Sequence, residues 1–139
     1  MNATQAQKFF EECINTLYLK RDLSRMSDFY ATGFTAHPTP PGLPPGLAGL
    51  ELMTRAWLEA FSDIGLRVES FSVDGDFFTC QLTTTGTHTG SFMGIPATGR
   101  KVEFLDRPRY RLENGKIAEL WSNPDIQALM TQLGVPSAA

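Results

Sequence analysis

Apolar residues recur along the chain at two different spacings, and the change from one to the other divides it. Between Thr4 and Lys20, Phe9, Phe10, Cys13, Ile14 and Leu17 return at three- and four-residue steps, with Gln5, Lys8, Glu11, Glu12 and Asn15 on the opposite side. That period predicts an amphipathic helix with Thr4 as its N-cap. A short second helix is predicted over Leu23–Tyr30, capped by Asp22, facing inward with Leu23, Met26, Phe29 and Tyr30 and stopped near Gly33. A third spans Leu47–Ser62. Leu50, Met53, Trp57, Leu58 and Phe61 form its inner face, while Glu51–Arg55 and Arg55–Glu59 are opposite-charge pairs four residues apart.

From Leu66 onward the period falls to two. Leu66–Val73, Phe77–His88, Arg100–Leu112 and Lys116–Ser122 read as strands, with Asp74-Gly75-Asp76 and Asn114-Gly115 as hairpin turns. In the second of these strands Phe78, Cys80, Leu82, Thr84, Gly86 and His88 share one face, and Thr79, Gln81, Thr83, Thr85 and Thr87 the other. Asn123-Pro124-Asp125 opens a terminal helix, with Asn123 as cap and Ile126, Leu129, Met130 and Leu133 inward, ending at Gly134. Residues 34–49, FTAHPTPPGLPPGLAG, form a loop after a short strand at Phe34–Ala36; its prolines withhold backbone donors, and so long a loop suits a lid or a rim.

Helices segregated from sequential strands indicate a single α+β domain over residues 1–139, with the helices packed on one face of an antiparallel sheet. A curved sheet roofed in this way makes a cone with a pocket at its mouth.

Composition narrows the classes of partner. The net charge of −3 comes with no basic run or stripe, which argues against nucleic acid. No stretch approaches the ~20 apolar residues of a membrane span. Cys13 and Cys80 stand in a helical and a strand context and read as core thiols of a reduced, cytoplasmic protein rather than a disulfide. The acids in MNATQAQKFFEECIN argue against a signal peptide.

The chemistry concentrates after Gly86. Val102, Phe104, Asp106, Pro108 and Tyr110 fall on one strand face, and Lys101, Glu103, Arg107, Arg109 and Arg111 on the other. A carboxyl on an apolar face must be paired, hydrogen-bonded or neutral. Asp106 is therefore an acid in an apolar pocket, its pKa raised so that it can shuttle a proton, or the partner of Arg100, Arg107 or Arg109 at a strand end, or a residue in a bulge. His37 is a candidate acid/base partner for it, or a rim residue fixing the Pro-rich loop. His88 reads as a histidine that pins the following loop, with pocket contact as the alternative. Trp57, Phe61, Phe92, Met93 and Tyr110 are candidates to line a pocket, Phe92 and Met93 at its mouth, with plain core as the alternative for the aromatic residues at helical spacing. Trp121 alternates outward with Leu120 and Ser122 inward, which points to a covered sheet face and hence an oligomer interface. Asp125 reads as a helix-terminus acid. The glycines at 86, 90, 94 and 99 lack the Gly-Lys-Ser/Thr of a phosphate loop, and with two histidines in the chain no metal-ligand spacing is found.

Three segments, GTHTGSFMGIPATGRKVEF, RLENGKIAELW and NPDIQALMTQLG, together with the overall layout, resemble the SnoaL-like polyketide cyclases of the nuclear-transport-factor-two-like superfamily. The more specific motifs are H-x-G-x-F-x-G-I-P-x-T-G-R and the closing W-x-x-P-D…Q-L-G. The resemblance implies a cone-shaped fold, a pocket between sheet and helices, a homodimer packed through the sheet face and no cofactor. It also implies ring closure by intramolecular aldol condensation, with an aspartate of the last strand as acid/base. Counted from the Asn-Gly-Lys-Ile turn, that position holds Ser122, and the group's histidine in the preceding strand falls at Pro108. The polar side chain two residues earlier is Asp106, and the early-loop polar residue is His37.

The resulting expectation is a cofactor-free enzyme acting on an apolar, oxygenated small molecule. Asp106 and His37 are its catalytic residues, and Tyr110, Ser122, Phe92, Met93, His88 and Trp57 its substrate contacts. The alternatives are an epoxide hydrolase or isomerase on the same scaffold, a non-catalytic carrier of a hydrophobic molecule, and a scaffold domain with a filled core.

Overall fold

Asn2 starts the first helix, α1 (Ala3–Ile14), through a capping box: its side chain accepts the Gln5 N–H at 2.8 Å, and the Gln5 side chain accepts the Asn2 N–H at 3.1 Å. The cap thus lies two residues before Thr4, where the sequence pattern set it. The computed structural model describes residues 2–39, 42–122 and 124–134. Beyond Ile14 the helix loosens into a π turn, Asn15–Leu19. The chain then makes a 3-10 turn, Leu23–Arg25, without a side-chain cap from Asp22, and a single turn of helix, α2 (Met26–Phe29).

The strand expected at Phe34–Ala36 is longer, β1 (Tyr30–His37). It runs parallel to the last strand, β6 (Lys116–Trp121), with Ala36 opposite Leu120 and His37 opposite Trp121. The sheet is therefore mixed rather than wholly antiparallel. A strand that follows helices and joins the far end of the sheet need not obey hairpin logic. After α3 (Gly46–Ala60) come β2 (Gly65–Asp74) and β3 (Phe77–Thr87), joined by the expected tight turn.

The single strand expected over Arg100–Leu112 is divided into β4 (Lys101–Asp106) and β5 (Arg109–Glu113). Both lie along β3: β4 pairs with Leu82–Thr87 and β5 with Phe77–Thr79. The break falls at Arg107 and Pro108. Proline has no N–H to give the ladder, and its carbonyl instead accepts the Cys80 N–H at 3.3 Å. The resulting order is β1-β6-β5-β3-β2, with β4 on β3.

One sheet face carries two apolar clusters. Phe10, Cys13 and Ile14 of α1 pack with Phe29, Phe34, Phe78, Cys80, Leu82, Tyr110 and Ile117. Leu58, Phe61, Ile64, Phe92, Val102, Phe104, Leu129 and Leu133 make the second, under the terminal helix α4 (Ile126–Gln132). Asn123, expected as the cap of that helix, lies outside the described residues. Asp125 is the N-cap instead, accepting the Ala128 N–H at 3.0 Å, and Pro124 precedes the helix. This is an α+β fold, as the sequence pattern indicated.

Candidate functional site

Between the two clusters the helices stand off the sheet and leave a chamber of about 130 Å³. Ile14 and Tyr18 come from the first helix and its π turn, and Leu50, Met53, Thr54 and Trp57 from α3. The sheet supplies Leu82, Thr84, Phe104, Asp106, Tyr110, Leu120 and Ser122. Leu50, Met53 and Trp57 are half-buried for this reason: they face the chamber while the α3 residues packed beside them, Thr54 and Leu58, are buried.

Asp106 is the last residue of β4, on the same face as the buried Val102 and Phe104, and it opens onto the chamber. It bridges Pro124, and the next residue, Asp125, donates its N–H to Leu105 at 2.8 Å. The end of β4 is thus tied to the chain leaving β6, which brings Ser122 onto the same wall.

The other titratable groups among the described lining residues are one thiol, Cys13, and the phenols of Tyr18, Tyr30 and Tyr110. Burial pushes the Cys13 thiol up to about 12, opposed by a hydrogen bond with Tyr30. It pushes the Tyr18 phenol up to about 12, opposed by a hydrogen bond with Thr54 and reinforced by the nearby charges of Cys13 and Asp106. Burial also holds Tyr30 and Tyr110 well above the usual phenol range. These groups stay neutral near pH 7 and act as hydrogen-bonding hydroxyls and an inert thiol. Among the described lining residues, Asp106 is the one that carries a carboxyl.

Of the other expected site residues, Tyr110, Ser122 and Trp57 line the chamber. His37 does not. Its neighbour Ala36 shares the inner face of β1 with Phe34, so alternation turns His37 outward with Trp121. There its ring stacks on Trp121 at 5.0 Å and its Nε2 lies 2.8 Å from Glu119, which is also bound by Arg111. The Arg111 and His37 contacts hold the Glu119 carboxyl below the usual range.

Phe92, Met93 and His88 also lie away from the chamber. Phe92 is buried behind Trp57, ring to ring at 4.6 Å. Met93 is 66% exposed at the tip of a tight turn closed by mutual Phe92–Ile95 backbone hydrogen bonds, with positive φ at Met93 and Gly94. His88 is wholly buried, and its Nδ1 accepts the Thr98 N–H at 3.2 Å. It pins the loop, as its position suggested. The Arg107 side chain donates to Gln81 at 3.3 Å.

Tyr18, Thr54 and Thr84 were missed. Thr84 could have been read from the inner face of its strand. Tyr18 could have been read from the helical stripe, four residues after Ile14, which lines the chamber with it. Among the described residues no three His, Cys, Asp or Glu side chains converge to hold a metal ion, and no helix is long and apolar enough to cross a membrane.

Over 96 residues the chain is 33% identical to aklanonic acid methyl ester cyclase DnrD of Streptomyces peucetius, a match covering 66% of each protein. It is equally similar, at 33%, to aklanonic acid methyl ester cyclase DauD of a Streptomyces strain, of whose length the match spans 60%. Among solved structures, TsrD from Streptomyces laurentii superposes with a TM-score of 0.88 at 24% identity, over 98% of this chain and 99% of that one, and supports the fold alone. The pattern describing the SnoaL-like polyketide cyclases matches residues 4–133. On that match across nearly its whole length, the chain belongs to the SnoaL-like polyketide cyclase family.

Proposed function

We propose that the protein is a cofactor-independent enzyme that closes a ring by acid/base chemistry on an apolar, oxygenated molecule held in the chamber, with Asp106 as the proton shuttle. The observation that carries this reading is that Asp106 shares the chamber with thiol and phenols held protonated by burial, so the carboxylate is left as the base. In this reaction the carboxylate takes a proton from the carbon next to a carbonyl. The enolate oxygen accepts hydrogen bonds from hydroxyls such as Ser122 and Tyr110. The enolate carbon attacks a second carbonyl of the same molecule, forming the carbon–carbon bond, and the Asp106 acid returns its proton to the new alkoxide. The name of the cyclases DnrD and DauD favours ring closure over epoxide opening.

A second reading, a carrier that binds without chemistry, draws on Ser122, which stands where the family resemblance implies an aspartate. Exchange of the α-protons of phenylacetone in D2O, followed by NMR, separates the two. The enzyme reading expects an acceleration of about a hundredfold or more over buffer, the low end for a positioned general base. Binding of phenylacetone without acceleration would make the protein a carrier.

In the same reading the chain works as a homodimer in a reducing, cytoplasmic setting. Trp121 and His37 stack on the outer sheet face, and the Arg109 guanidinium lies 4.2 Å from the Phe77 ring centre and 5.8 Å from that of Trp121. An aromatic and guanidinium patch of this kind is typical of interface cores. The two buried thiols are free.

A further inference from the structure

We propose that the chamber is built for a compact compound of a single ring, and that fused two- and three-ring compounds are excluded. The proposal rests on the reading of the chamber as the binding site. Its volume of about 130 Å³ is close to the ~150 Å³ of an apolar protein cavity that takes one benzene.

The walls cannot retreat cheaply, because the rings that bound the chamber rest on further rings. Tyr110 stacks on Phe78 at 4.6 Å and 18°, and Phe10 backs both of them at 5.0 and 5.3 Å. On the other side Trp57 stacks on Phe104 at 5.7 Å and lies against Phe92 at 4.6 Å. Phe10, Phe78 and Phe92 are each buried to 2% exposure or less. Enlarging the space means separating packed aromatic pairs, at about 0.5–1.5 kcal/mol for each pair beyond the lost burial.

The polar groups suit one small oxygenated ring. The carboxyl of Asp106 and the hydroxyl of Ser122 share one wall, while Thr54 lies on the α3 wall. The Thr54 hydroxyl donates to the Leu50 carbonyl at 2.8 Å and is also hydrogen-bonded to Tyr18, so what it has left for a ligand is a lone pair. A ring lying between these walls meets an acceptor at one end and the carboxyl at the other. The class is a monocyclic hydroxy-ketone, whose hydroxyl donates to Thr54 and whose carbonyl accepts from the Ser122 hydroxyl.

The test uses acetophenone, 2-acetonaphthone and 2-acetylanthracene, one acetyl group on one, two and three rings, with the full chain and titration calorimetry. Apolar area alone favours the larger ligands. The expected order is the reverse, with acetophenone bound about tenfold or more tighter than 2-acetonaphthone. In Trp57→Ala, or in Met53→Ala should the first variant fail to fold, 2-acetonaphthone should gain about tenfold. Equal or tighter binding of the larger rings by the wild type, with an affinity that responds to Trp57→Ala, overturns the size limit and leaves the chamber as the site. Absence of binding for every ring, or affinity indifferent to both variants, removes the site and the size limit together.

Discussion

Asp106, the last residue of β4, pairs with Pro124 across an isolated antiparallel bridge. The contact joins a strand end to the segment that follows β6, and it brings two chemically different residues, Asp106 and Ser122, to one wall of the chamber. A carboxyl at the end of β4 and a hydroxyl just after β6 therefore both line the chamber. The break at Pro108 makes the arrangement possible, because it lets β4 and β5 lie along different halves of β3.

The loop after β3 depends on a close backbone approach. Thr89 and Gly90 both donate N–H groups to the Ala60 carbonyl, at 2.9 and 3.1 Å. A Cβ on Gly90 would lie 2.1 Å from the Glu59 carbonyl oxygen, which is backbone and cannot step aside. Gly90→Ala should cost about 2–4 kcal/mol, in the range of overpacking that moves backbone, measured as a shift of the urea midpoint at constant slope. A loss below about 0.5 kcal/mol would mean that the loop relaxes freely.

Arg21 closes the end of α3 from a distance. Its guanidinium donates to the carbonyls of Leu58, Phe61 and Ser62 at 2.9, 3.2 and 2.6 Å. A cation at a helix C-terminus satisfies carbonyls that the helix leaves open. Arg21→Ala should destabilise the fold by about 1–2 kcal/mol, and Arg21→Lys should recover part of this, because an ammonium reaches fewer of the three acceptors. Equal losses in both variants would mean that an ammonium restores none of the three hydrogen bonds.

Alkaline pH should unfold the protein through its thiols. Burial raises Cys13 and Cys80 to about 12 in the folded chain, with the Asp106 charge adding to the effect at Cys80. In the unfolded chain a thiol ionises near ~8.5. The folded value is the higher one, so this contribution is intact below ~8.5 and is lost as the pH rises toward 12. Urea midpoints should fall between pH 8 and pH 11, and fall less in Cys80→Ala. An unchanged slope in that variant would assign the alkaline loss to other groups.

The outer sheet face offers a separate test. If a second copy covers Trp121, Trp121→Glu should turn a sedimenting dimer into a monomer while leaving the circular dichroism spectrum unchanged. A monomeric wild type would remove the dimer.

Much of this architecture is legible in the sequence because periodicity reports burial directly. The alternation through Phe78, Cys80, Leu82 and Thr84 gave the correct inner face, and that through Val102, Phe104 and Asp106 turned the carboxyl inward. What failed did so for local reasons. His37 was read from its loop and not from its strand parity, which sends it to Trp121 and Glu119. Phe92 and Met93 sit in a tight turn, where neither period applies, and one is buried behind Trp57 while the other is exposed. Tyr18 continues the four-residue step of Phe10 and Ile14 into the chamber, and its polar hydroxyl kept it out of the apolar stripe. The parallel pairing of β1 with β6 joins residues more than 80 positions apart, such as Ala36 and Leu120, beyond the reach of any window.

The account stands on Asp106 as the base of the chamber, and Asp106→Asn addresses it directly. The substitution keeps the shape and removes the proton acceptor. Titration calorimetry and α-proton exchange with phenylacetone, run on the same preparation, should give an affinity within about threefold of the wild type and an exchange rate lower by about 10²-fold or more. Undiminished exchange in Asp106→Asn, at unchanged affinity, would contradict it.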